Sequence, residues 1–123
     1  MNNLIIDAAN EYIFLSVIIN NKSYTSEYIN NRDNFDKLSM LIFSFLEVHK
    51  IKIENIEKIF INQGPGKFSG IRASLATAKA LSLTNKIELI GFSSKDVFDK
   101  NYEKILDLYN KGLLNKNLIK PIY

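Results

Sequence analysis

Hydrophobic and polar positions recur along this chain with two different periods, and the change of period divides it into elements. Residues 3–9 (NLIIDAA) form an apolar run that a strand carries into a core. Residues 12–19 (YIFLSVII) and, more weakly, 23–29 (SYTSEYI) are rich in β-branched and aromatic side chains. Asn10-Glu11 and Asn20-Asn21-Lys22 separate these runs as tight connections, which predicts an antiparallel three-stranded meander. From Asn34 to Lys50 the period becomes helical, with Phe35, Leu38, Leu41, Ile42, Phe45 and Leu46 on one stripe and Asp33 or Asn34 as the N-cap. A strand at 57–62 (EKIFIN), a glycine-rich turn, a helix over 70–84, a strand at 87–92 (IELIGF) and an amphipathic helix over 95–110 follow, before the tail NLIKPIY. The order β-β-β-α-β-α-β-α predicts a single ribonuclease H-like α/β domain over residues 1–123. In that fold a mixed five-stranded sheet carries helical crossovers.

Two of the helices have more apolar surface than a sheet can cover. On the helix after the glycine turn, Ile71, Leu75, Ala78 and Ser82 share one side. Ala73, Ala76 and Ala80 fall on nearly the opposite side, flanked by Thr77, Thr84 and Leu83, while charge is confined to Arg72 and Lys79. On the 34–50 helix, Met40 and Phe43 point away from the core stripe. Packing of the two helices on each other accounts for part of this pattern, and a helical partner surface for the rest.

Composition narrows the chemistry. The chain has 123 residues, 46% hydrophobic and 24% charged, enough for one core. With no cysteine, disulfides, thiolate metal sites and cysteine nucleophiles are excluded together, and a reducing cytoplasm is the expected setting. A net charge of +3 permits an RNA partner, but a scattered surface of lysines is the better default. Asp7, Asn10 and Glu11 interrupt the first apolar stretch, so neither a leader peptide nor a membrane span is expected.

The stretch FINQGPGKFSGIRASLATAKALSL (60–83) holds three of the five glycines. Its spacing is neither a Walker loop, because Lys67 precedes the last glycine, nor a dinucleotide fingerprint, because Gly64, Gly66 and Gly70 are spaced G-x-G-x-x-x-G. Two readings stand: amides at a helix start that attract an anion, or a tight turn that lets the helix pack closely on the sheet. Asp7 sits at a strand end, as a site carboxylate or a turn former. Two-metal hydrolysis needs several converging carboxylates, yet the fourth strand ends in Asn62-Gln63. The single histidine, His49, has no partner at helical spacing, which argues against a zinc peptidase and against a Ser/His/Asp arrangement.

These residues carry a family likeness. GPGKFSGIRASLATAKALSL resembles the G-P-G-S-F-T-G-[LV]-R signature of the TsaB (YeaZ) family. LIIDAA (4–9), IELIGFSS (87–94) and the closing KPIY resemble that family's first strand, its strand after the helix and its C-terminal P-x-Y. The resemblance implies a lobe of the actin-like ATPase superfamily, with the family's second, smaller lobe absent. It further implies a non-catalytic subunit that binds and activates TsaD in making N6-threonylcarbamoyladenosine on tRNA.

On that resemblance no cofactor is expected. The first two helices would pack on TsaD or on a second copy through Met40, Phe43, Ala73, Ala76, Thr77, Ala80 and Leu83. A contact with the ATPase subunit of the same complex is implied as well, and tRNA contact is expected to be indirect or weak. Asp7, Gly64, Pro65, Gly66, Lys67, Phe68, Ser69, Gly70 and Arg72 would be the vestige of a phosphate site. Ala8 stands where the family has threonine, Lys67 and Ser69 where it has serine and threonine, and Asn34 where some members have histidine. The alternatives are a stand-alone ATP-binding enzyme of the actin-like fold and a ribonuclease H-like nuclease.

Overall fold

Strands β1 (Asn3–Asp7), β2 (Tyr12–Ile19) and β3 (Lys22–Ile29) run as a meander, and β4 (Lys58–Asn62) and β5 (Glu88–Phe92) complete a sheet of order β3-β2-β1-β4-β5. The coordinates are a computed structural model that describes residues 2–97, 101–116 and 119–122. β1 pairs antiparallel with β2 and parallel with β4, which pairs parallel with β5. This is the mixed five-stranded ribonuclease H-like sheet that the element order predicts. The β2–β3 hairpin closes through Asn20 and Asn21 with φ of 51° and 65°, the left-handed pair that a two-residue turn of matching twist requires.

Helices α1 (Arg32–Asp36), α2 (Leu38–Val48) and α3 (Phe68–Asn85) cover one face of the sheet, and α4 (Glu103–Asn110) covers the other. β1 is therefore buried along its whole length, which is why its sequence is an unbroken apolar run rather than an alternation. Leu4 and Ile6 face the larger core with Ile59, Ile61, Ile71, Leu75 and Ile42. Ile5 faces the smaller one with Phe60, Ile90, Phe92 and Ile105.

Some boundaries differ from the expected ones. The helix expected over 34–50 is two helices broken at Lys37, whose φ of −114° and ψ of 29° leave the helical region. The cap is Asn31, not Asp33 or Asn34: its side chain accepts from the Asn34 amide at 2.9 Å, while the Asn34 side chain donates to the Ile29 carbonyl at 2.8 Å. At the other end of α1, Lys37 N–H takes a short-range bond to the Asn34 carbonyl at 3.2 Å, which tightens the last turn. Within the helix expected over 95–110, the described residues form a 3-10 turn at Ser94–Asp96, opened by a capping box between Ser93 and Asp96, and α4 from Glu103. Phe98, Asp99 and Lys100 of that expected helix lie outside the described residues. So do Asn117 and Leu118 of the tail and Tyr123 of its P-x-Y. No helix among the described residues is long and apolar enough to cross a membrane.

Candidate functional site

β1, β4 and β5 end together, and this shared end is where a parallel arrangement places ligands. Asp7 stands there, 1% exposed. One carboxylate oxygen accepts the Ala9 amide and the Asn62 side-chain amide, each at 3.0 Å. The other accepts the Tyr102 hydroxyl at 2.7 Å. Burial, and then the charge and hydrogen bond of Asp7, hold the Tyr102 hydroxyl above its ordinary titration range, so it stays a donor. The Tyr102 ring stacks on Phe14 at 4.2 Å, which fixes its orientation. Asn62 is equally committed: its oxygen accepts the Gly64 amide at 2.8 Å and its nitrogen also reaches Ser94 Oγ at 3.2 Å.

The glycine turn closes over this end by packing on the β1–β2 connection. The Lys67 amide donates to the Ala9 carbonyl at 2.8 Å. A side chain at Gly66 would overlap the Ala9 carbonyl oxygen, and one at Gly70 would overlap the Ala8 carbonyl and the Asn30 amide. Asn30 itself donates to the Ala8 and Asn10 carbonyls, each at 2.8 Å. Both glycines are thus required by close approach of backbone to backbone. Pro65, Lys67, Phe68, Ser69 and Arg72 are exposed around this contact, whereas Gly64 is buried. Lys67 pairs with Glu11 at 3.4 Å, and the Arg72 guanidinium lies 5.1 Å from the Phe68 ring centre. Among the described residues no three of His, Cys, Asp or Glu converge as a metal site would require.

A second locus lies on the helices. The buried side of α3 is Gly70, Ile71, Ser74, Leu75, Ala78 and Leu81. Of the residues expected to dock a partner, Ala76 and Ala80 are exposed and Ala73 and Thr77 half-buried. Met40, Phe43 and Leu83 are large apolar side chains at 67%, 44% and 82% exposure. Phe43 from α2 and Ala76, Thr77 and Ala80 from α3 line one open groove of about 510 Å³. No other part of this chain covers it among the described residues. Of the lysines late in the chain, Lys111 pairs with Asp107 at 3.1 Å and Lys116 with Glu88 at 3.9 Å.

Tyr102, Asn30 and Ser94 escaped the sequence reading. Tyr102 meets Asp7 across the whole domain, and its only signal is a place just before an amphipathic stretch. Asn30 ends the third strand run and carries no periodic mark.

Comparison with known proteins places this geometry. A family model described as TsaD: tRNA N6-adenosine threonylcarbamoyltransferase matches residues 16–101. The chain is 29% identical over 94 residues to the tRNA threonylcarbamoyladenosine biosynthesis protein TsaB of Buchnera aphidicola subsp. Schizaphis graminum, covering 76% of this chain and 45% of that protein. Its fold is similar to YeaZ from Pseudomonas aeruginosa, with a TM-score of 0.74 at 14% identity over 90% of this chain and 50% of that one. RuvC of T. thermophilus, in complex with a Holliday junction substrate, shares the fold more distantly: TM-score 0.55 at 9% identity, over 79% of this chain and 67% of that one. The chain spans about half the length of the TsaB and YeaZ proteins it matches.

Proposed function

The chain belongs to the family whose model it matches, as a TsaB (YeaZ) member, and on that premise we propose that it is a non-catalytic subunit that docks on TsaD and activates it in tRNA threonylcarbamoyladenosine biosynthesis. The observation that carries this reading is the groove between α2 and α3, lined by Phe43, Ala76, Thr77 and Ala80, with Met40 and Leu83 exposed elsewhere on the same two helices. Small side chains let a second helix approach closely, and the large apolar ones give it area to bury. The Asp7 end supports the non-catalytic half of the proposal. Its carboxylate is 1% exposed and takes three of the chain's own donors, so it serves the fold rather than facing a substrate. Such a subunit works in the cytoplasm beside its tRNA-modifying partner and contacts tRNA through that partner.

Co-expression with TsaD from the same organism, followed by affinity purification and size-exclusion chromatography, tests the proposal. A complex of the two chains that raises threonylcarbamoyladenosine formation above that of TsaD alone is the expected result. TsaD eluting free of this chain, with activity unchanged by its addition, would contradict it.

A further inference from the structure

The tail that carries the closing KPIY has no part in the docking reading, yet its residues 119–122 return to the root of the glycine turn. Gln63, 5% exposed, stands between β4 and that turn. Its amide donates to the Phe92 carbonyl at 2.8 Å, the last step of the β4–β5 ladder. A parallel ladder would next have the Ser94 amide donate to the Gln63 carbonyl. Instead the chain turns away at Ser93, and the Ser94 amide donates to the Gly64 carbonyl at 2.9 Å. The tail takes the vacated place. The Ile122 amide donates to the Gln63 carbonyl at 2.7 Å, and the Gln63 side-chain amide donates to the Lys120 carbonyl at 2.9 Å. Ile119, 6% exposed, joins the larger core that also holds Ile71. A side chain at Gly91 would overlap the Gln63 amide, and one at Gly64 would overlap the Ile122 carbonyl, so tail, turn and β5 are in close contact.

We infer that residues 119–122 are a strap that opens together with the glycine turn as one cooperative unit, apart from the rest of the domain, with Gln63 as the latch between them. Lifting the tail alone would leave the Gln63 carbonyl and side-chain amide unpaired in a place nearly closed to water. A buried polar group without a partner is costly, so the state with the tail off and the turn in place is disfavoured. Relief comes when Gln63 itself swings into water, and Gly64 to Lys67 must follow it. The other holds on the turn are local ones, the Lys67 amide on the Ala9 carbonyl at 2.8 Å and Ser94 on the Gly64 and Pro65 carbonyls. β1 and β2, by contrast, lie inside the sheet with a paired strand on each side. Regions with few buried contacts open ahead of such a core. α3 starts directly beyond the turn, where the Ile71 amide donates to the Lys67 carbonyl at 3.0 Å. The strap therefore governs how firmly the first turn of α3 is seated, whatever partner its outer side meets.

Hydrogen exchange of individual amides, read by NMR on the full chain, tests this. Ile122→Pro removes the amide that reaches Gln63, at a position whose side chain is 39% exposed, while Ile122→Ala keeps that amide. In Ile122→Pro the amides of Gln63, Gly64, Lys67 and Ile71 should exchange about tenfold faster, although they lie far from it in sequence. Amides within β1 and β2 should keep their wild-type rates, and Ile122→Ala should change none by more than about twofold. Turn amides that keep their rates in Ile122→Pro would make the tail a passive appendage. A uniform acceleration that includes β1 and β2 would leave no separate unit. Either result overturns the inference.

Wild-type chain supplies a second measurement that needs no variant to fold. In sub-denaturing urea, the amides of Ile122, Gln63, Gly64 and Lys67 should converge on one opening free energy with one urea dependence, below that of β1 and β2. Separate values for the tail and the turn, or a shared value equal to that of β1 and β2, would overturn the inference. Neither measurement involves TsaD, so a failure here leaves the proposed function standing, and a failure of that function leaves the strap to be decided on its own.

Discussion

The two loci of this molecule have opposite relations to solvent. At the strand ends, Asp7, Asn62 and Tyr102 satisfy one another and the surrounding backbone, so the polar chemistry is turned inward. On the outer sides of α2 and α3, Phe43 and Leu83 remain in water with only part of their surface covered. Burying a side chain of this size contributes about 1.5–3 kcal/mol, so unspent interaction energy lies on the helices and not at the carboxylate. The strand end is thus internally satisfied, and the exposed apolar surface lies on the helices.

Substitutions sharpen the contrast, beginning where the largest effect is expected. Gly70→Val forces a branched side chain into the Ala8 carbonyl and the Asn30 amide. It should destabilise the domain by about 3 kcal/mol in urea unfolding, or prevent folding, because backbone cannot yield as a side chain can. A stability within about 0.5 kcal/mol of wild type would show that the turn does not sit on the β1–β2 connection.

Asp7→Ala leaves the Tyr102 hydroxyl and the Asn62 amide without their buried acceptor and should cost about 2–3 kcal/mol. TsaD binding by the folded fraction should persist. Loss of binding by a fully folded Asp7→Ala would move the functional weight back to the strand ends.

Tyr102→Phe keeps the stack on Phe14 and removes one hydrogen bond, for about 1 kcal/mol. Its second effect is on alkaline stability. In the folded chain the Tyr102 hydroxyl titrates above its unfolded value of 10.0, so above about pH 10 the unfolded chain releases a proton that the folded one retains. Stability contributed by this group is therefore complete below pH 10 and declines as pH rises past it. Urea midpoints measured between about pH 9 and about pH 11 should fall less steeply in Tyr102→Phe than in wild type. Equal slopes would mean that the hydroxyl is not the buried donor to Asp7.

Much of the fold was legible because its signals are local. The unbroken apolar run of β1, the branched residues of β2 and the helical stripe ending in Leu46 each report burial through neighbours a few residues away. The break at Lys37 was not legible, since a periodic pattern reports burial and not the backbone dihedrals of one residue. The glycine turn lay between these cases. Its sequence announced a constrained turn, yet the constraint comes from the Ala8 and Ala9 carbonyls on a different loop, so an anion cradle and a packing contact read alike. Asp7 was visible as a strand-end carboxylate, while its consumption by Tyr102 depended on a contact across 95 residues of sequence. The exposed alanines of α3 were visible because helical geometry alone places them opposite Ile71 and Leu75.

The central claim is that the alanine-lined side of α3 is a docking face, and Ala76→Arg and Ala80→Arg test it most directly. Both residues are exposed, so each variant should unfold within about 0.5 kcal/mol of wild type. Co-purification of each with TsaD from the same organism should nonetheless be abolished, because an arginine there holds a partner helix away from the groove. Folded variants that co-purify with TsaD as fully as wild type would contradict the account.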